Sequence, residues 1–252
     1  MAVPATGRDS GNRPASGGKG SPWIRFRLLL AAVLGGALVA LAAVALLLPL
    51  GAARRPALPV IGEAPHYRLI DQNGRTVSSQ DFAGKLRIVA PMFPYCRELC
   101  PLVAANLAAF NDKVVRHSDL KGRVVFVFFN IAPDAAGPAE LRQFLKQYGW
   151  NPDDPAVAFL TGSPSAVKRA VEGGYHIAYY RTEGADDEAS AVQIANPLAD
   201  RQKADFDIKH ADIIELVDGK GRIRKIFTEG SRVADMELEA DLGALLPGGS
   251  AG

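Results

Sequence analysis

The chain has 252 residues, of which 48% are hydrophobic and 22% are charged, values typical of globular proteins. Seven basic residues and one acidic residue precede position 56, so residues 56–252 carry a net charge of −4 within a whole-chain charge of +2. A mildly acidic domain without a basic stripe argues against nucleic-acid binding, and two cysteines are too few for a disulfide-rich scaffold.

The N-terminal region predicts a single membrane anchor. Residues 1–27 are rich in Gly, Ser and Pro and predict a disordered tail. Residues 28–48 follow without a charge, and a helix of that length spans about 30 Å, the thickness of the hydrocarbon core of a bilayer. The basic residues before this segment place the tail in the cytoplasm by the positive-inside rule. A cleaved signal peptide is the alternative, but its apolar region is normally only about 7–15 residues long.

The remaining chain predicts a linker, residues 49–65, one domain, residues 66–246, and a short disordered tail, residues 247–252. Apolar and alternating runs predict strands at residues 66–70, 76–78, 86–93, 123–131, 159–162, 213–217 and 222–227. Helical spacing and capping residues predict helices at residues 101–117, 138–148 and 163–173, and a last helix capped by Ser231. Residues 181–206 are polar and weakly patterned, which predicts a long loop or an extended hairpin. This order predicts an α/β domain with a central sheet and helices on both faces.

The two cysteines lie in the segment Phe93-Pro-Tyr-Cys96-Arg-Glu-Leu-Cys100-Pro101, between a predicted buried strand and a predicted helix. Open α/β sheets carry their sites at such turns, at the carboxyl ends of the strands. If Cys96 lies at the helix N-terminus, the free amides there favour its thiolate. The four-residue spacing brings the sulfurs close enough to share one ion or to form a disulfide. An inert local disulfide is the alternative, although so small a loop adds little stability.

His210 precedes the predicted C-terminal hairpin and offers a third soft donor. Two thiolates and an imidazole suit Cu(I), whereas zinc prefers a fourth ligand and is the less favoured metal. Taken alone, His210 would be interpreted as a solvated loop histidine. The other histidines and one methionine near the cysteines are interpreted as structural residues: His66, His117, His176 and Met92.

Together these motifs resemble the SCO/SenC family, thioredoxin-fold copper proteins of cytochrome c oxidase assembly. The resemblance covers residues 60–246 and rests on residues 67–74, 81–85 and 160–162, the Cys-x3-Cys-Pro run and the His210 segment. It implies a thioredoxin-like domain behind one transmembrane helix, with Cys96, Cys100 and His210 as copper ligands. It also implies delivery of copper to the binuclear centre of cytochrome c oxidase subunit II, or thiol–disulfide exchange on that subunit. The implied location is the cell inner membrane, with the domain on the periplasmic side.

Three departures mark a divergent member of that family. Arg97-Glu98 stands where Pro-Asp is usual between the cysteines, and Lys209-His210-Ala211 stands where Asp-His-Ser is usual. The acidic stretch that commonly follows the central strand is reduced to residues 132–137. A positive charge at Arg97 favours neighbouring thiolates, so this change is compatible with metal binding.

Two functions follow from the same residues. A copper chaperone needs His210, whereas a membrane-anchored thiol–disulfide oxidoreductase needs only Cys96 and Cys100. The usual thioredoxin-type spacing is Cys-x2-Cys, so the extra residue here favours the copper chaperone, a binding protein rather than an enzyme. Redox activity is compatible with that role, because copper and the disulfide compete for the same sulfurs.

Overall fold

A computed structural model describes residues 22–47, 57–183, 196–199 and 206–246 of the chain. Residues 1–21 and 247–252 of the predicted tails, residues 49–56 of the predicted linker and much of the predicted loop or hairpin at residues 181–206 lie outside the described residues. Residues 22–27, predicted as tail, are helical instead. Residues 62–63, predicted as linker, pair with residues 222–223 of the sheet, so the domain begins before residue 66. Residues 1–54 and residues 55–252 form two compact units, which are described separately.

The first unit contains one apolar helix, α1 (Pro22–Leu47). Within it, residues 23–43 form an apolar span with a mean hydropathy of 2.2, and its side chains are not buried against the rest of the chain. By length and composition this helix fits a single-pass membrane anchor. It begins before residue 28, where the apolar segment was predicted to start, because Trp23, Ile24 and Phe26 extend the apolar run past two arginines.

The second unit is built on a mixed sheet with the strand order β1-β10-β9-β4-β5-β6. Its strands are β1 (Gly62–Glu63), β4 (Leu86–Met92), β5 (Val124–Asn130), β6 (Val157–Leu160), β9 (Ile214–Val217) and β10 (Arg222–Phe227). β4, β5 and β6 run parallel, and the other neighbours are antiparallel. Two hairpins flank this sheet: β2 (Arg68–Ile70) with β3 (Thr76–Ser78), and β7 (Tyr179–Glu183) with β8 (Phe206–His210).

Both central strands are buried along their whole length, β4 and β5 alike. Because successive side chains of a strand point to opposite faces, such continuous burial means that both faces of the sheet are covered. The cover includes helices α2 (Cys100–Lys113), α3 (Pro138–Gln147), α4 (Pro164–Val171) and α5 (Asp235–Leu245). The predicted α/β architecture, a central sheet with flanking helices behind one N-terminal apolar helix, is confirmed.

The hairpin alternative for residues 181–206 is confirmed at its two ends. β7 and β8 pair antiparallel, with Tyr179 opposite His210 and Glu183 opposite Phe206. This pairing matters for function, because it makes His210 the last residue of a strand rather than part of a solvated loop.

The predicted cap of the last helix is wrong. Ser231 lies in a short 3-10 turn, and α5 begins only at Asp235. The reason is a competing partner: the Ser231 backbone amide and hydroxyl both donate to the carboxylate of Asp212, the hydroxyl at 2.6 Å. A serine whose oxygen is held there does not cap a helix four residues later.

Candidate metal centre

The cysteine segment leaves the sheet at the carboxyl end of β4. A turn closes there, in which the Cys96 amide donates to the Phe93 carbonyl at 3.0 Å. Helix α2 begins at Cys100, with Pro101 in its first turn. The expectation that Cys96 opens the helix is therefore wrong, because Cys100 is the first helical residue.

Both thiols are free, buried and hydrogen-bonded. Cys96 is only 6% exposed and Cys100 only 1% exposed. The Cys96 sulfur accepts from the Glu98 amide at 3.3 Å, and the Cys100 sulfur accepts from the Phe93 amide at 3.5 Å. A hydrogen bond with the Cys100 thiol, together with burial, raises the pKa of Cys96 well above its ordinary value. The raised pKa favours the thiol form of Cys96, contrary to the thiolate expected from the sequence.

His210 meets the cysteines from the other side of the turn. Its Nε2 atom lies 3.1 Å from Cys100 Sγ, although the two residues are 110 positions apart. Its Nδ1 atom lies 2.9 Å from the Ala211 carbonyl oxygen. Because a carbonyl only accepts, Nδ1 donates in this contact, and Nε2 is the ring nitrogen that faces the sulfur. A backbone carbonyl that orients the ring in this way is usual beside metal-binding histidines.

The three predicted ligands are connected in series through Cys100, by the Cys96–Cys100 hydrogen bond and the Cys100–His210 contact. Within the described ranges, no three His, Cys, Asp or Glu side chains already stand in position around an ion. The site therefore requires a small rearrangement of side chains to place all three donors on one metal.

The residues interpreted as structural lie elsewhere: Met92 is buried within β4, and the ring of His66 is 3.4 Å from Ser79.

The unusual residues beside the ligands contact one another. Lys209 Nζ lies 3.2 Å from the carboxylate of Glu98, which stands between the cysteines, and 2.8 Å from that of Asp207. These hydrogen bonds with Asp207 and Glu98 raise the pKa of Lys209. The lysine before the histidine and the glutamate between the cysteines are thus complementary, and together they tie β8 to the cysteine turn. Two of the departures seen in the sequence form one interaction.

Asn196 hydrogen-bonds to the backbone of the cysteine turn, and nothing in the sequence predicts this contact. Its buried side-chain amide donates to the Pro94 carbonyl at 2.9 Å and to the Cys96 carbonyl at 2.7 Å. Its side-chain oxygen accepts from the Leu198 amide at 3.0 Å and from Gln147 at 3.3 Å. All four hydrogen-bonding positions of the amide are used. A weakly patterned segment therefore supplies the support of the turn, and no local pattern in that segment predicts this role.

The donor chemistry of the trio fits copper. Two thiol sulfurs and one imidazole nitrogen are soft and borderline donors that suit Cu(I), and the burial of the thiols protects a soft ion from water. Among the described residues, Glu98 is the nearest carboxylate in sequence to both thiols, and it is already paired with Lys209. A fourth, zinc-type ligand is therefore not supplied by that residue.

Comparisons with known proteins find relatives of one family. The family model SCO1/SenC matches residues 61–242. Protein SCO1 homolog 1, mitochondrial, from Arabidopsis thaliana is 28% identical over 158 residues, which are 61% of this chain and 44% of the Arabidopsis protein. The chain thus spans less than half the length of that relative.

Solved structures share the fold at low identity. A SCO1/SenC family lipoprotein from Bacillus anthracis has a TM-score of 0.58 and 21% identity, covering 76% of this chain and 99% of that one. Arabidopsis thaliana ScoI with copper bound has a TM-score of 0.56 and 22% identity, covering 71% of this chain and 94% of that one. At these identities the structural likeness confirms the thioredoxin-like fold.

Proposed function

Because this chain belongs to the SCO1/SenC family, we propose that it binds copper through Cys96, Cys100 and His210 and assists copper-centre assembly of cytochrome c oxidase. One observation carries the proposal: His210 Nε2 lies 3.1 Å from Cys100 Sγ. Disulfide chemistry needs no imidazole at this place, whereas a soft metal ion gains a third ligand there. The copper-bound ScoI of the same fold supports the choice of metal.

Each part of the site has a role in holding copper. The Ala211 carbonyl orients the imidazole, so Nε2 is ready to donate. Asn196 fixes the backbone on both sides of Tyr95, and the Lys209–Glu98 pair keeps β8 against the turn. Binding displaces the proton of Cys96, so it releases acid and strengthens as pH rises.

The location and the client belong to the same proposal. Helix α1 would anchor the chain in the inner membrane, with the N-terminus in the cytoplasm and the copper domain in the periplasm. The client would be cytochrome c oxidase subunit II, as the family membership implies. Copper is then the cargo of this chain rather than a resident catalytic cofactor.

A thiol–disulfide oxidoreductase is the second candidate, and one observation favours it: the two free thiols hydrogen-bond each other. In that reaction Cys96 and Cys100 form a disulfide and lose two electrons and two protons. A disulfide of the client protein accepts them and becomes a dithiol. The two functions share both sulfurs, and His210 separates them.

An anaerobic titration of the full-length chain in detergent with Cu(I), against a competing chelator, tests the proposal. We expect one equivalent to bind tightly, His210→Ala to weaken binding at least tenfold, and a Cys96→Ser/Cys100→Ser double variant to abolish it. His117→Ala is the matched control, since that exposed histidine follows α2 away from the site. Equal binding by wild type and double variant would contradict the proposal. Unchanged binding by His210→Ala would leave only the dithiol function.

A further inference from the structure

A cavity separate from the cysteine turn opens beside the amino-terminal half of β4. Its volume is about 540 Å³, and it lies between β1, the turn that joins β9 to β10, and the residues after α4. Four of the side chains that line it can carry positive charge: His66, Arg87, His176 and Lys220. Glu63 is the one acidic side chain among its described lining residues.

Arg87 is the unusual member of this lining. It is 4% exposed and is the second residue of a strand whose other residues are apolar. Its Nε atom has no hydrogen-bond partner, and no salt bridge to Arg87 occurs in the part of the chain that the structure describes. A buried guanidinium without a counter-charge is costly, so buried charges in proteins are normally paired.

The nearby acidic side chains do not neutralise Arg87. Glu215 lies on the same face of the sheet, since Arg87 pairs with Val217 and Val89 pairs with Glu215. Burial raises the pKa of Glu215 to about 8, so this carboxyl is mostly uncharged at neutral pH. Asp218, in the turn beside the cavity, is already engaged by Arg222 and Arg224, each at 2.8 Å.

Two buried hydroxyls interact with Arg87, and both are neutral. Those of Tyr67 and Tyr175 interact with it electrostatically, and Tyr67 also shares a side-chain hydrogen bond with it. Burial raises the pKa of Tyr67 to about 12 and that of Tyr175 well above its ordinary value, so neither hydroxyl provides negative charge. The surroundings of Arg87 therefore favour an anion and supply none.

A glycine keeps the guanidinium uncovered on the cavity side. Gly221 has a φ of +86°, which favours glycine, and a Cβ atom placed there would lie 3.4 Å from Arg87 Nη2. A larger residue at this position would cover the guanidinium as well as strain the turn. The absence of a side chain leaves the fork of Arg87 open to a small ligand.

We propose that this cavity binds a small oxyanion, with Arg87 as the central ligand at its floor and His66, His176 and Lys220 around the rim. The planar guanidinium presents two parallel N–H groups, which match the oxygens of a phosphate or carboxylate group. The rim residues are exposed. Lys220 adds positive charge that draws the anion in, and the imidazoles of His66 and His176 offer N–H donors. Because Arg87 lies deep in the cavity, a free ion reaches it more readily than the headgroup of a lipid in a bilayer.

Thermal unfolding of the full-length chain in detergent, with inorganic phosphate as the probe, tests this proposal. Ionic strength is held constant with chloride, so that a rise in Tm reports binding and not general screening. We expect phosphate to raise the Tm of the wild type in a saturable way, and isothermal titration calorimetry to give one site per chain. Arg87→Leu should lose the effect, because leucine suits a buried strand but cannot bind an anion.

Further variants keep the test decisive. A His66→Gln/Lys220→Gln double variant changes only exposed side chains, and we expect its phosphate affinity to fall at least threefold. Lys113→Gln, an exposed lysine at the end of α2, should bind like the wild type. An equal Tm rise in Arg87→Leu, or an equal rise with chloride alone, would overturn the proposal. If Arg87→Leu fails to fold, an unchanged affinity of the double variant overturns it.

Discussion

Lys209 and Glu98 join the two segments that carry the candidate ligands, and their contact explains why this chain tolerates unusual residues there. Their side chains are partly exposed, 26% at Lys209 and 33% at Glu98. Exposed pairs contribute little to stability, about 0–1 kcal/mol, because water screens them. Their value therefore lies in orienting β8 against the cysteine turn rather than in holding the domain together.

Removing this ion pair should weaken copper binding slightly. We expect Lys209→Ala to reduce Cu(I) affinity about two- to fivefold, in line with the small energy of a partly exposed pair. The exchanged variant, Glu98→Lys with Lys209→Glu, should recover part of the loss. Chelator competition measures both affinities. An exchanged variant that binds Cu(I) more weakly than Lys209→Ala would contradict a role for the pair.

Removing the side chain of Asn196 should have a larger effect. Asn196→Ala leaves the buried Pro94 and Cys96 carbonyls without a donor, which we expect to cost about 1–3 kcal/mol of unfolding free energy. Copper affinity should fall as well, because the turn loses its support. Chemical denaturation with and without Cu(I) measures both effects. Asn106→Ala is the control, because it removes a single hydrogen bond to the Ser231 carbonyl. An equal loss of copper affinity in Asn106→Ala would contradict a specific role of Asn196 in supporting the cysteine turn.

At the scale of single residues, the sequence predicted the ligands but not their supports. Cys96, Cys100 and His210 follow from spacing and from the resemblance to a family. The Lys209–Glu98 and Asn196 contacts join residues about a hundred positions apart. No local pattern encodes such contacts. The protonated state of Cys96 was likewise missed, because it depends on burial and on the neighbouring thiol.

The strands and helices themselves were largely predictable from apolar periodicity. The central strands β4 and β5 were predicted to within about one residue of each end, since continuous burial demands continuous apolar sequence. The two-residue strand β1 was missed, because so short a segment has no pattern and exists only through its pairing with β10. The cap at Ser231 was misassigned, because a tertiary partner, Asp212, competes for it.

A buried glutamate in strand β9 should make stability depend on pH. Burial raises the pKa of Glu215 from 4.5 to about 8. The folded chain therefore binds this proton more tightly than the unfolded chain does. Its contribution to stability is fully present below about pH 4.5 and is lost as the pH rises to about 8.

Glu215→Gln isolates this effect, since an amide stays neutral throughout. We expect the variant and the wild type to differ little in unfolding free energy at pH 4.5. At pH 8 the variant should be more stable, by on the order of 3 kcal/mol. Urea unfolding at a series of pH values measures the difference, and a difference that does not change with pH would rule out a buried titrating glutamate.

The whole molecule combines an apolar helix with a thioredoxin-like domain. The family and the fold were predictable from the sequence because several motifs occur in the right order, and the SCO1/SenC match over residues 61–242 confirms them. The side of the membrane on which the domain lies stays a prediction. It depends on a small excess of basic residues before α1, which is a property of the sequence and not of the fold.

Reporter fusions test that orientation. We expect alkaline phosphatase joined after residue 252 to be active in a bacterial host, because it folds to its active form only in the periplasm. A fluorescent protein that matures only in the cytoplasm should be dark at the same position. Deleting residues 1–47 should reverse both signals, and a bright C-terminal fluorescent fusion of the full chain would contradict the proposed topology.

Copper binding by two sulfurs and one nitrogen is the central claim, and X-ray absorption at the copper edge tests it most directly. The full-length chain is loaded with one equivalent of Cu(I) without oxygen, and the scatterers around the metal are counted. We predict two sulfur scatterers and one nitrogen scatterer, with the nitrogen contribution lost in His210→Ala and both sulfurs lost in the double-serine variant. A copper ion with no sulfur neighbours, or one whose surroundings are unchanged by His210→Ala, would contradict the assignment.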